Sequence, residues 1–77
     1  MTPEQVERAK LFDCRELIEN KRGTTLCIFH DDHTPSMKVY HDHVYCFSCQ
    51  RHEDSIGVFM ALNGCDFRTA VRRLCGV

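Results

Sequence analysis

Leu26-Cys27-Ile28-Phe29-His30 and Tyr45-Cys46-Phe47-Ser48-Cys49 are the two stretches that decide how this 77-residue chain folds. Each holds a pair of metal-ligand side chains with two residues between them, and fifteen residues separate His30 from Cys46. A two-residue gap lets a tight turn aim both side chains at one ion. The insert lets the chain leave and return, so that the second pair closes a tetrahedron. Cys27, His30, Cys46 and Cys49 would give zinc three thiolates and one imidazole. Such a shell leaves no vacant position for water or substrate, so the expected cofactor is one structural Zn2+ rather than a catalytic one.

A chain of this length is expected to be one domain over residues 1–77. Its core alone supplies about 3–5 kcal/mol at most, whereas a structural zinc contributes about 10–16 kcal/mol of apparent binding energy near neutral pH. The metal-free chain is therefore expected to be unfolded. Six cysteines in a small domain could instead be a disulfide framework. Zinc is favoured, because Met1-Thr2-Pro3-Glu4-Gln5 is polar and unlike a secretory leader. Cys14, Cys65 and Cys75 also stand alone in stretches that read as helices, where a thiol serves as a small buried hydrophobe. The expected compartment is reducing, hence cytoplasmic. No apolar run approaches membrane-spanning length, so no membrane partner is expected.

The formal net charge is −1. That excludes a globally basic nucleic-acid binder, so any DNA contact must come from a local cluster of positive charge.

The rest of the chain is read around the metal. Thr2-Pro3-Glu4-Gln5 is a helix start with a capping box. Asp13 opens a second short helix expected to reach Asn20, with Lys21-Arg22-Gly23 ending it and Gly23 in the left-handed region. A strand is expected from Thr24 to Phe29. Ser36 to Tyr40 and His43 to Phe47 are expected to form a hairpin around a His41-Asp42 turn. Gln50 to Glu53 reads as a polar loop. Asp54 or Ser55 caps a helix stopped by Asn63-Gly64, and Asp66 caps the last one. The fold class is thus small α+β: a zinc ribbon with an antiparallel hairpin or sheet at residues 24–53. Short helices flank it, as a lead-in at 1–22 and a C-terminal pair at 54–75.

Five motifs in order carry a resemblance: Leu26-Cys27-Ile28-Phe29-His30, Thr34-Pro35-Ser36-Met37-Lys38-Val39, Tyr45-Cys46-Phe47-Ser48-Cys49, Ile56-Gly57-Val58-Phe59-Met60 and Phe67 through Leu74. Together they resemble the amino-terminal zinc-binding domain of bacterial and phage DNA primases, the Cys-His-Cys-Cys zinc finger family, over about residues 24–75. Ile28, Met37, Tyr45 and Ser48 stand where that family usually has proline, phenylalanine, histidine and glycine, and Arg51 to Ser55 replaces a glycine-rich loop. The resemblance implies a module that recognises single-stranded template in DNA replication and primer synthesis, with polymerase catalysis in a separate part. The chain is accordingly expected to be no enzyme on its own. Its expected partners are single-stranded DNA and a primase, polymerase or replicative helicase. A free-standing protein of a phage or mobile element is the expected setting, with a fragment of a longer primase as the other. The rival reading is a protein–protein module that binds or inhibits a primase, helicase or polymerase without touching DNA.

Strand alternation places Lys38, Tyr40 and His43 on one face, opposite Met37 and Val39. These three, with Arg51, Lys21 and Arg22, are the candidate DNA contacts. The alternative is a plain solvent face with soluble loops. Tyr45 could stack a base or cover a helix. Phe29 and Phe47 are expected to pack beneath the metal. His33 and His52 are the surplus histidines that could compete for zinc, and Asp31-Asp32 reads as a solvated loop. Arg68, Arg72 and Arg73 form a basic helix face, which is either ordinary surface or a partner-docking site.

Overall fold

The computed structural model describes residues 2–30 and 34–76. Helix α1 (Pro3–Lys10) starts as its sequence dictates: the Thr2 side chain accepts from the Gln5 amide while the Gln5 side chain accepts from the Thr2 amide. Helix α2 (Cys14–Leu17) is capped by Asp13, which accepts from the Arg15 amide at 2.9 Å. It ends three residues before the expected Asn20. Ile18 leaves the helix in an extended conformation and is buried in the core. Asn20 then organises the exit, donating to the Ile18 carbonyl and accepting from the Gly23 amide.

The chain reverses through Lys21-Arg22-Gly23-Thr24. Lys21 and Thr24 exchange both backbone hydrogen bonds, and Arg22 and Gly23 both have positive φ, at 56° and 79°. That is the geometry of a type I′ turn, which matches the twist of the paired strands. Strands β1 (Thr24–Thr25), β2 (Met37–Val39), β3 (Val44–Cys46) and β4 (His52–Glu53) form one antiparallel sheet in the order β1-β2-β3-β4. Two expectations are corrected here. β1 stops at Thr25 rather than Phe29, because the next residues turn to aim Cys27 and His30. Residues 50–53, read as a polar loop, supply β4, which pairs with β3 through Val44↔Glu53 and Tyr45↔His52.

Helix α3 (Ser55–Asn63) is capped by Asp54, which accepts from the Gly57 amide at 3.0 Å, and stops at Gly64 in the left-handed region. Helix α4 (Phe67–Leu74) is capped by Asp66, which accepts from the Thr69 amide at 2.8 Å. Two small apolar clusters hold these elements. The first gathers Cys14, Ile18, Met37, Val39, Val44 and Val58 with the metal-site residues Cys27 and Cys46. The second gathers Ala9, Ile56, Ala70, Val71, Leu74 and Cys75. α3 serves both, with Val58 in one and Ile56 in the other, and Leu17 packs against both. Facing two clusters gives α3 a broad apolar surface through Ile56, Val58, Phe59 and Met60, while Ala61 and Leu62 stay exposed. Ser55 is the buried polar residue of the core, and its hydroxyl donates to the Ala9 carbonyl, tying α3 to α1.

Gly57 is required by close approach. A Cβ there would lie 2.8 Å from Glu53 Oε1 and 2.9 Å from Glu53 Cβ and Cδ. Alanine gains up to about 1 kcal/mol of helix propensity, but the Glu53 Cβ moves only with the β4 backbone. Gly57→Ala is therefore expected to destabilise the fold by about 1–3 kcal/mol. A thermal melt checks this; a raised melting point would show that Glu53 swings aside freely.

Candidate metal centre

Cys27 and His30 come from the turn that leaves β1. Cys46 ends β3, and Cys49 closes the turn that follows. Their ligand atoms all lie within 4.8 Å of one another. Cys27 Sγ is 3.8 Å from Cys49 Sγ, and Cys46 Sγ is 3.6 Å from His30 Nε2. With Zn–S bonds of about 2.3 Å and Zn–N bonds of about 2.0–2.1 Å, a regular tetrahedron has S–S edges of about 3.8 Å and S–N edges of about 3.6 Å. The donor set therefore fits one zinc ion. The same separation is far beyond a disulfide bond of about 2.05 Å, and none of the six cysteines forms a disulfide.

Each turn also prepares its thiolate. The Phe29 amide donates to Cys27 Sγ at 3.4 Å, and the Cys49 amide to Cys46 Sγ at 3.5 Å. Ser36 Oγ lies 3.6 Å from Cys46 Sγ. Donors of this kind fix the direction of the sulfur and spread its charge. Burial pushes the Cys46 thiol up, but the Cys49 amide, the Ser36 hydroxyl, Cys27 and His30 outweigh it and draw Cys46 down to about 6. Burial dominates at Cys27 and raises it to about 11 despite the Phe29 amide. The donors to Cys46 favour its thiolate, and zinc binding displaces the thiol protons of the site. Cys14, outside the cluster, is raised to about 11 by burial and then by Asp54, consistent with a neutral core thiol.

Ser48, where glycine is usual, strains nothing. The non-glycine residues with positive φ among those described are Arg22 and Gln50, and Gln50 secures the second turn by donating from its amide to the Cys46 carbonyl at 2.8 Å. His52 lies in β4 opposite Tyr45 and is not one of the clustered ligands. His33 and Asp31-Asp32 lie outside the described residues.

With this geometry in place, comparison with known proteins gives a single answer. Residues 11–77 match the family model of the CHC2 zinc finger. The chain belongs to that family. It is 43% identical over 47 residues to the DNA primase of Chlamydia trachomatis and, to the same extent, to that of Chlamydia muridarum. Each alignment covers 58% of this chain and 8% of the relative. The module is thus a primase-type zinc finger, and the matched stretch spans less than a tenth of the length of these two relatives.

The outer face of the sheet continues from the CHC2 knuckles. Pairing sets Thr24, Lys38, Tyr45 and His52 in one row across the four strands. Tyr40 and His43 stack at the hairpin end, with ring centroids 4.4 Å apart, and His43 Nδ1 lies 2.7 Å from Asp42 Oδ1. Lys38 Nζ sits 5.5 Å from the Tyr40 centroid. At the metal end, Tyr45 and Phe47 meet edge to face at 4.9 Å. Phe47 is 64% exposed, which corrects its expected place beneath the metal. Because Cys46 points inward, its neighbours on both sides point outward, a signal already present in the alternation. Phe29 does pack, half-buried, against the first cluster.

Of the six candidate contacts, Lys38, Tyr40 and His43 share this face. Lys21 and Arg22 are exposed in the turn before the β1 edge. Arg51 precedes β4 at the other edge, 4.4 Å over the Phe29 ring and 3.3 Å from Glu53 Oε2. Alternation alone could not have assigned the cross-strand partners Tyr45 and His52, since register depends on the pairing. No helix among the described residues is long and apolar enough to cross a membrane.

Proposed function

We propose that the outer sheet face binds single-stranded template DNA for primer synthesis, with zinc as scaffold and with nucleotidyl transfer carried out by a separate catalytic part. The observation that carries this reading is the continuous aromatic and basic surface formed by Lys38, Tyr40, His43, Tyr45 and Phe47. Bases stack on such rings without sequence preference while cations follow the phosphates. Arg51, Lys21 and Arg22 stand at the sheet's two edges, where a strand crossing the face would present its backbone. The primase relatives support replication as the setting. The four-ligand zinc shell serves architecture, so the module's role is recognition rather than catalysis.

Fluorescence anisotropy with a labelled oligothymidylate, measured across salt concentrations, tests the proposal. Four cations neutralising four phosphates predict a log–log slope of about −3, at about −0.7 per phosphate on single strands. Salt-independent affinity, or none at low salt, overturns the DNA reading in favour of a protein-binding module.

A further inference from the structure

The second apolar cluster carries a surface unrelated to the zinc. α4 packs on α1 and α3 through Ala70, Val71 and Leu74, and turns Arg68, Arg72 and Arg73 to solvent. None of the three makes an ion pair among the described residues. The helix itself holds no acidic residue; its cap Asp66 accepts from the Thr69 amide and feels the charge of Arg68 without forming an ion pair with it. Arg68 and Arg72 are four residues apart, so like charges are adjacent on one face. Arg68 also sits in the first turn, where the helix dipole disfavours a cation. Glu4 and Glu7 of the neighbouring α1 make no ion pair with these arginines. Three arginines against the one cap carboxylate leave a local excess of positive charge on α4, although the chain as a whole is at −1.

Beside this face lies a groove of about 510 Å³ between α3, β4 and the start of α4. Ile56, Met60, Cys65 and Phe67 line its apolar part. Its far rim holds Arg51 and Glu53, which pair with each other, and Asp54, which caps α3. Phe67 lines the near end, and Arg68 follows it directly on the helix, with Arg72 one turn on.

We infer that the groove and the arginine face of α4 together dock an acidic amphipathic segment of a partner protein: an apolar side chain seated against Met60 and Phe67, flanked by carboxylates on Arg68 and Arg72. Charge complementarity selects the occupant. Guanidinium pairs with carboxylate through a planar two-point fork, and an apolar groove accepts a helix's apolar stripe. A nucleic-acid strand satisfies the arginines but leaves the apolar wall of Ile56, Met60 and Cys65 unfilled. Arg51 borders both this groove and the template face, whereas Met60, Phe67, Arg68 and Arg72 belong to the groove side alone.

The probe is a fluorescein-labelled acidic helical peptide with leucines at i, i+4 and glutamates between them, titrated into the zinc-loaded chain. Amide shifts are expected at residues 51–74 and not on β1, β2 or β3. Arg68→Glu with Arg72→Glu should weaken binding by about tenfold or more without lowering the melting point and with oligothymidylate shifts still confined to the sheet. Ala61→Glu, on the exposed part of the groove wall, should do the same. Should these variants bind the peptide as the parent does, should no saturable binding occur, or should oligothymidylate shift α4 in place of the sheet, the inference is overturned. Failure of the template reading leaves the peptide result standing, because the two ligands report on different residues.

Discussion

Stripping zinc from the purified CHC2 module with a strong chelator is expected to abolish its cooperative melt and collapse its amide spectrum to that of a disordered chain. The reason lies in how little else joins its parts. The four strands are two or three residues long, below what an isolated sheet needs for independent stability. The first apolar cluster counts Cys27 and Cys46 among its own members, so losing the ion also leaves unmetallated thiols crowded at the cluster's edge. Against the about 3–5 kcal/mol that a core of this size supplies, zinc contributes about 10–16 kcal/mol near neutral pH. Cys46→Ser should reproduce the chelated state, since that sulfur comes from the end of β3 and receives the Cys49 amide and the Ser36 contact. Cys14→Ala is the control: it trims a buried thiol outside the metal shell and should lower stability while keeping zinc. Acid should act like the chelator, because protons compete with zinc for three thiolates and one imidazole; affinity falls as pH falls. Circular dichroism with metal analysis across pH decides the matter. A chain that keeps its spectrum and melting point without zinc would show that the two apolar clusters suffice.

How much of this was legible beforehand depended on whether the cause was local. Capping is local, and Thr2, Asp13, Asp54 and Asp66 all cap the helices their sequence announces. The ligand set is nearly local, since two short gaps fix each pair and only the meeting of the pairs is tertiary. The misses come from tertiary demands on otherwise unremarkable residues. Ile18 breaks α2 because the core takes its side chain. Residues 26–30 leave β1 because the metal takes theirs. His52 and Glu53 carry no strand propensity, and β4 forms because the turn through Gln50 returns the chain alongside β3: the Cys46 amide donates to the Arg51 carbonyl at 2.9 Å. Phe47 looked like core by composition but sits on the outward parity of β3, and parity wins wherever one face of a sheet is already filled. Lys38, Tyr40 and His43 could be grouped from alternation within the hairpin. The Tyr45 and His52 neighbours needed the register, which no single strand encodes.

That register yields the second large effect. Tyr45→Ala, alone and combined with Tyr40→Ala, is expected to strip the sheet of most of its oligothymidylate affinity without unfolding it. Tyr45 lies at the middle of the row between Lys38 and His52, and its ring is braced edge-on by Phe47. Tyr40 is braced by His43, with Lys38 Nζ 5.5 Å from the Tyr40 ring centroid. Each braced ring gives a base a fixed platform, and base–aromatic stacking contributes about 1–3 kcal/mol per base. One substitution should therefore weaken binding by about fivefold to 150-fold, and the pair by close to the product if the platforms bind separate bases. Lys38→Ala should behave differently: a smaller loss of affinity, accompanied by a salt slope shallower by about 0.7. Neither tyrosine is in the buried core, so the zinc content and melting point should change little. The distinction matters because a purely electrostatic surface would respond to Lys38 and ignore the rings. If both tyrosine variants keep full affinity while Lys38→Ala loses it, bases do not stack on the sheet, and its aromatic face must be covered by something other than DNA.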